Sequence, residues 1–324
     1  MAKSRLIKEF FCLFILLTCA YLIAVNPLLS DSVLDGVNLF IGAVFPALFP
    51  YLIITAFLGN LSVIKKGSNL LSPISKKLFR CKGIIFYAYF VSLLSGYPMG
   101  SKTVADLKKA GLLNNDESVR ASCLCSTSSP VFLIGCVGNL IFKNTVFGVI
   151  LFLTHFLSSI IIGFIFSFYK SKEKDDFTAI LIKESPNGDL FSIAVKNAVW
   201  DVLFVGGVIT LFYLFTEILV TYNILTPLTK VTSKIFGSEE AGKGLSLGLI
   251  ECTKGLKTLS IIGINKITLP LCALISGFGG FSVIMQSLPF LKDAKIKTTP
   301  FLFAKFGAVI VNFVIGYFFS LLFF

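Results

Sequence analysis

Residues 94–130 read LSGYPMGSKTVADLKKAGLLNNDESVRASCLCSTSSP, and apolar runs flank this stretch on both sides. It holds two breaks rich in small residues, Gly-Tyr-Pro-Met-Gly-Ser at 96–101 and Ser-Thr-Ser-Ser-Pro at 126–130. The pattern fits either a soluble loop or two half-helices that meet inside a membrane. The composition of the rest of the chain decides between these interpretations.

The overall composition is that of a membrane protein. The chain has 324 residues, of which 55% are hydrophobic and 14% are charged, and its mean hydropathy is +0.88. Globular proteins carry about 25% charged residues, so this chain has too little charge to cover a water-exposed surface. We therefore predict an all-α polytopic protein of the cell membrane, with the lipid bilayer as its first partner.

The net charge of +12 gives information about orientation. Lysines cluster in short segments between apolar runs, as the positive-inside rule expects, so no nucleic-acid partner is predicted. Residues 65–82 are the most basic segment and should be cytoplasmic. Residues 10–25 form a predicted first span with a cytoplasmic N-terminus, and the acidic residues 26–35 should lie outside.

The two halves of the chain repeat each other. Lys254 follows Lys102 by 152 positions, and Gly248 follows Gly96 by the same interval. The break at 126–130 recurs after 150 positions at 276–280. Each half has the order span, linker, short hairpin, broken span and span.

The repeat predicts four parts of the chain: an N-terminal span and loop (1–35), a first repeat (36–170), a basic cytoplasmic linker (171–197) and a second repeat (198–324). Residues 83–95 are apolar but too short to cross a bilayer, which needs about 20 residues. They predict a re-entrant hairpin, and residues 245–263 predict another. Because the span at 36–61 runs inward and its partner at 198–222 runs outward, the repeats are inverted, as in many secondary transporters.

The breaks and hairpins supply the candidate binding residues. An unwound helix in a bilayer leaves backbone groups that protein, water or a ligand must satisfy, and charges at membrane depth are often functional. The alternatives are that small residues only allow close packing and that the hairpins are shallow. The predicted solute-binding residues are Gly96, Pro98, Ser101, Lys102, Ser126, Thr127, Ser128, Ser129, Glu217, Glu251, Thr253, Lys254, Ser276, Gly279 and Gly280.

Catalytic chemistry has little support in the sequence. No nucleophile elbow, Walker loop or HExxH motif occurs, so we predict no enzyme and no catalytic residue. The eight cysteines lie mostly in apolar runs, and His155 is the single histidine. Neither a metal site nor a cofactor is therefore expected.

Two motifs resemble a known family. The sequence GYPMGSK at 96–102 with Ala-Asp-Leu at 105–107, followed by STSSP at 126–130 before Ile-Gly at 134–135, resembles the YlbJ-type sporulation integral membrane proteins. That family belongs to the nucleoside recognition (Gate) domain group. The resemblance implies a fold like that of concentrative nucleoside transporters and a role in forming a resistant spore. The second hairpin departs from the first, since Ile250 replaces Pro98 and Cys252 replaces Gly100.

Two functions remain open at this point. The first is a secondary transporter or gate for a small polar or anionic solute, a class that includes nucleoside-like molecules. The second is a non-transporting scaffold in spore envelope assembly, which would associate with itself or with other sporulation membrane proteins. Polar residues around a central cavity would favour transport, and a cavity plugged by aromatic side chains would favour the scaffold.

Overall fold

The computed structural model describes residues 24–58, 62–170 and 190–324, together with Leu17, Ala20 and Tyr21. Regular structure in this part of the chain is entirely helical. Several of its helices are long and apolar enough to cross a membrane: Thr145–Phe166, Phe191–Thr221, Thr268–Asp293 and Thr298–Phe323. The predicted class of all-helical membrane protein is confirmed, whereas most of the predicted first span lies outside the described residues.

The chain continues into a long helical run. Helix α1 (Pro27–Leu39) starts where the side chain of Asn26 accepts the N–H of Leu28. It passes through a wide π-type turn, π1 (Phe40–Val44), into α2 (Phe45–Leu58). Pro46 follows that turn directly and removes one helical N–H, which favours the wider turn. The prediction of a loop at 26–35 was wrong, because most of those residues are helical, and their position outside the membrane stays a prediction.

The linkers predicted within the repeats, residues 65–82 in the first and 226–243 in the second, are largely helical, which corrects the sequence interpretation. Helix α3 (Ser62–Phe79) covers most of the basic segment, and α9 (Thr226–Phe236) covers much of the second linker. On α3, Leu70, Ile74 and Leu78 are exposed at four-residue intervals. An exposed apolar stripe beside a basic face is typical of a helix that lies at a membrane surface.

Each predicted hairpin is a pair of helices packed against each other. Helices α4 (Ile85–Ser95) and α5 (Met99–Lys109) are joined by a short turn. Helices α10 (Glu239–Ile250) and α11 (Cys252–Leu259) are joined by Glu251 alone. Their entry and return on one side of a bilayer stays a prediction.

Both broken spans are present. Helix α6 (Asn115–Leu124) begins at a capping box formed with Asn114 and is separated from the π-helix π2 (Val131–Ile141) by non-helical residues. Helices α12 (Thr268–Phe278) and α13 (Gly280–Asp293) are separated by Gly279, whose φ of +77° suits glycine. The second break is thus narrower than predicted, because the helix continues through residues 276–278.

Three long helices surround these elements. Helix α7 (Thr145–Phe166) packs on π2, and α14 (Thr298–Phe323) packs along α12. Helix α8 (Leu190–Thr221) contacts α1, α2 and α13, and it begins before the predicted span at 198. Residues 171–189 of the predicted basic linker lie outside the described residues.

The hairpin tips touch the broken spans at corresponding positions in the two halves. A methyl group at Gly100 would overlap the carbonyl oxygen of Cys125. At the counterpart positions, the Cys252 thiol lies 3.9 Å from the carbonyl oxygen of Ile275. These paired contacts agree with the repeat intervals, and the inverted relation of the halves stays a prediction.

Candidate functional site

A cavity of about 80 Å³ lies where the hairpin tips meet the broken spans. The starts of π2, α11 and α13 border it through Ser129, Cys252 and Gly279, and the end of α4 borders it through Gly96. A helix start carries unpaired N–H groups and a partial positive charge. This central cavity therefore has backbone hydrogen-bond donors on several sides.

Side chains add both acceptors and donors to the central cavity. The polar residues that line it are Ser95, Tyr97, Ser128, Ser129, Glu251, Thr253, Ser282 and Gln286. The buried carboxylate of Glu251 caps α11 by accepting the N–H of Lys254 at 2.8 Å. Apolar residues of π1, α2 and α8 complete the wall.

The first break is fixed by side chains of neighbouring helices. The hydroxyls of Ser92 and Thr127 are 2.7 Å apart, and the N–H of Thr127 donates to the Ser92 oxygen at 3.3 Å. The N–H of Ser128 donates to Nε2 of His155 at 2.8 Å. The unwound backbone is thus satisfied by buried protein groups, as a non-helical segment at membrane depth requires.

Tyr97 connects the two halves. Its hydroxyl lies 3.2 Å from the carbonyl oxygen of Ser276 and 3.3 Å from that of Gly277, and it donates to them. Both carbonyls belong to the last turn of α12, where acceptors lack helical partners. The first hairpin therefore caps the end of α12, at the break in the second broken span.

Two wider cavities lie beside the central one, and each contains an ion pair to α8. In the first outer cavity, of about 330 Å³, Lys102 Nζ lies 2.7 Å from an oxygen of Asp201. In the second, of about 650 Å³, Lys254 Nζ lies 2.8 Å from an oxygen of Glu217. Asp201 and Glu217 are 16 positions apart on α8, about 24 Å at 1.5 Å per residue. The two outer cavities therefore lie toward opposite ends of this helix.

The predicted site residues are distributed over these spaces. The central cavity is lined by Gly96, Ser128, Ser129, Glu251, Thr253 and Gly279. The ammonium groups of Lys102 and Lys254 face the outer cavities, in their ion pairs with α8. The others support the tips and breaks: Pro98, Ser101, Ser126, Thr127, Ser276 and Gly280.

Some residues of the site escaped the sequence interpretation. Asp201 and Lys305 are single charges in apolar spans, a signal that singled out Glu217 and applies equally to them. Gln286 lies on α13 beyond the predicted break, and Asn312 is buried on α14. Their spacing carries no motif, so only the fold brings them to the site.

Comparison with known proteins supports the resemblance seen in the motifs. The chain is 27% identical over 294 residues to the "Sporulation integral membrane protein YlbJ" of Bacillus subtilis (strain 168), covering 83% of this chain and 72% of the relative. No family model matches the chain, so membership of the nucleoside recognition group stays a prediction. No solved structure matches it. The chain is a relative of the YlbJ-type sporulation integral membrane proteins.

Proposed function

We propose that this protein acts in sporulation as a secondary transporter or gate for a small polar solute, which binds in the central cavity. The observation that carries the proposal is the meeting of several helix starts around one cavity that polar side chains enter. Broken helices that point their ends at a central site are the usual design of secondary transporters. The sporulation role is taken from the similarity to YlbJ.

The lining of the central cavity supports transport over the scaffold alternative. Its aromatic lining residues in the described part of the chain are Tyr97 and Phe132, and hydroxyl, carboxyl and amide groups lie among the aliphatic residues of the remaining wall. Tyr97 is held against α12 by its hydrogen bonds. Aromatic side chains therefore do not fill the cavity. A scaffold that had lost its binding site would be expected to have a filled cavity.

Charge favours an uncharged polar solute over an anion. The carboxylate of Glu251 lines the central cavity, and both hairpin lysines are engaged in ion pairs elsewhere. An anion would meet the helix starts but also this carboxylate. A solute with hydroxyl and amide groups can use both the donors and the acceptor, so uncharged nucleoside-like molecules remain within the proposed class.

The size of the central cavity points to a closed conformation. Ligand sites generally enclose about 300–1,000 Å³, whereas this cavity measures about 80 Å³. Each ion pair joins a hairpin to α8, Lys102 on one side and Lys254 on the other. Separation of one pair at a time would widen the central cavity toward one side, which is the movement that alternating access requires.

Ser128→Ala tests the central cavity directly. Loss of one hydrogen bond to the solute should weaken uptake roughly three- to tenfold. The measurement is counterflow into liposomes of a panel of nucleosides, other uncharged polar solutes and carboxylates. Ser260→Ala is the matched control, because the Ser260 hydroxyl donates to the carbonyl of Lys257 away from the cavity. If no solute enters faster than into empty liposomes, and Ser128→Ala supports normal counts of heat-resistant spores, the scaffold function replaces transport.

A further inference from the structure

Lys305 places a buried amine in the apolar helix α14. Its side chain is among the largest that are fully buried, with a relative exposure of 2%. Its Nζ lies 3.8 Å from the centre of the Tyr97 ring, and it has no hydrogen-bond or ion-pair partner among the described residues. A ring face offsets only part of the cost of burying an ammonium group, so the charged form of Lys305 requires a further partner.

Other hydrogen-bond donors surround the same small space behind the central cavity. A cavity of about 10 Å³ is lined by Lys305, Ser126 and His155. Because Nε2 of His155 accepts the N–H of Ser128, the neutral ring carries its proton on Nδ1. Nδ1 of His155, which has the Asn312 side chain beside it, and the hydroxyl of Ser126 make no hydrogen bond of standard geometry among the described residues. Donors from the first break, α7 and α14 therefore surround one space.

Acceptors are scarce at this position. The oxygen of the Asn312 amide is the unpartnered acceptor, and its nitrogen donates to Ser158 Oγ at 2.7 Å and to the carbonyl of Ala308 at 2.8 Å. Among the described residues that line the small cavity, none is a carboxylate. The ammonium and the imidazole N–H, which only donate, thus outnumber the unpartnered amide oxygen, and the Ser126 hydroxyl can act either way.

We propose that Lys305, His155 and Ser126 form a binding site for a small inorganic anion of the halide class, such as chloride. The donor excess and the unpaired ammonium select negative charge, and the space is about that of one water-sized sphere. The site adjoins the central cavity through Ser128 and Tyr97, which line that cavity and contact His155 and Lys305 respectively. The proposal does not depend on transport through the central cavity.

The test is chloride binding by the purified full-length protein in detergent, measured as broadening of the chloride magnetic resonance line. Wild type should broaden the line, and bromide should reverse the effect by competition. Lys305→Met removes the charge and should weaken binding at least about tenfold, while Ser126→Ala should weaken it roughly three- to tenfold. Lys292→Met is the matched control, since Lys292 is exposed on α13, and it should bind as wild type does.

A second measurement separates binding from folding. Wild type should unfold at a higher temperature in sodium chloride than in sodium gluconate of equal ionic strength, because a ligand of the native state stabilises it. Lys305→Met should lose this difference while remaining folded, since it removes an uncompensated buried charge. If that variant fails to fold, a reduced chloride effect in Ser126→Ala carries the proposal. Equal broadening by wild type and Lys305→Met, or a wild-type unfolding temperature that responds to pH but not to chloride, would overturn it.

Discussion

Glu217→Leu should abolish uptake and spore resistance while the protein remains inserted in the membrane. The substitution leaves the ammonium of Lys254, whose side chain is 15% exposed, without its carboxylate partner. The carbonyl of Tyr213 at 3.2 Å and the Ser32 hydroxyl at 3.3 Å remain as partners. We expect a stability loss of about 2 kcal/mol, below the 3–5 kcal/mol of fully buried pairs, because Glu217 faces an open cavity.

A double variant separates the ion pair from other roles of Glu217. Lys254→Met added to Glu217→Leu should recover most of the lost stability in detergent melts, because the unpaired charge is gone. Function should stay lost, since the link between α8 and the second hairpin is still missing. Lys109→Met is the control, because Lys109 pairs with Asp293 on the exposed surface, where a pair contributes about 0–1 kcal/mol. Normal uptake by Glu217→Leu would mean that the carboxylate is not part of the mechanism.

Gly100→Ala should prevent the first hairpin from seating against the first break. The added methyl group would overlap the Cys125 carbonyl oxygen and lie 2.7 Å from Cβ of Ser92. Neither group can retreat easily, because the Ser92 hydroxyl also holds Thr127. Overpacking of this kind generally costs 1–3 kcal/mol and occasionally more, so we expect a loss of about 3 kcal/mol.

The control for Gly100→Ala is another helical glycine with free space. A methyl group at Gly207 on α8 would meet nothing within 4 Å. Gly207→Ala should therefore be neutral or stabilising by roughly 0.5–1 kcal/mol, because alanine loses less backbone entropy in a helix. The measurement is the unfolding temperature of both variants in one detergent. Equal temperatures for Gly100→Ala and wild type would show that the hairpin is not packed as described.

Much of the fold could be predicted from local sequence patterns. The Gly-Tyr-Pro turn and the Ser-Thr-Ser-Ser-Pro run predict the first hairpin and the first break because small residues and proline act on the backbone beside them. The constant interval between Lys102 and Lys254 then points to the second hairpin. The structure has helix pairs at both hairpins and interruptions in both broken spans.

The errors arose where charge density was given more weight than helical period. The basic segment at 65–82 was predicted as a loop. Its apolar residues Leu70, Ile74 and Leu78 nevertheless recur at four-residue intervals, which is the spacing of an α-helix. The second break is confined to Gly279, and is shorter than predicted, because Ser276 and Gly277 keep helical geometry.

Contacts between distant segments could not be read from one sequence. The pairing of Lys102 with Asp201 and of Lys254 with Glu217 depends on where α8 lies. The two lysines occupy equivalent positions in the two repeats, but their partners both lie on α8. The repeat therefore does not predict which carboxylates they pair with. The place of Lys305 against Tyr97 likewise follows from the packing of α14.

Cysteine labelling from each side of the membrane tests the central claim most directly, namely that two outer cavities open on opposite sides of one central cavity. Thr103 lines the first outer cavity and Thr258 lines the second. The free cysteines of the described residues are buried, so single variants at these positions need only Cys12 and Cys19 replaced as well. With an impermeant thiol reagent, Thr103→Cys should label only in inside-out vesicles and Thr258→Cys only in right-side-out vesicles. Labelling of both positions from the same side would contradict the inverted arrangement and the transport proposal with it.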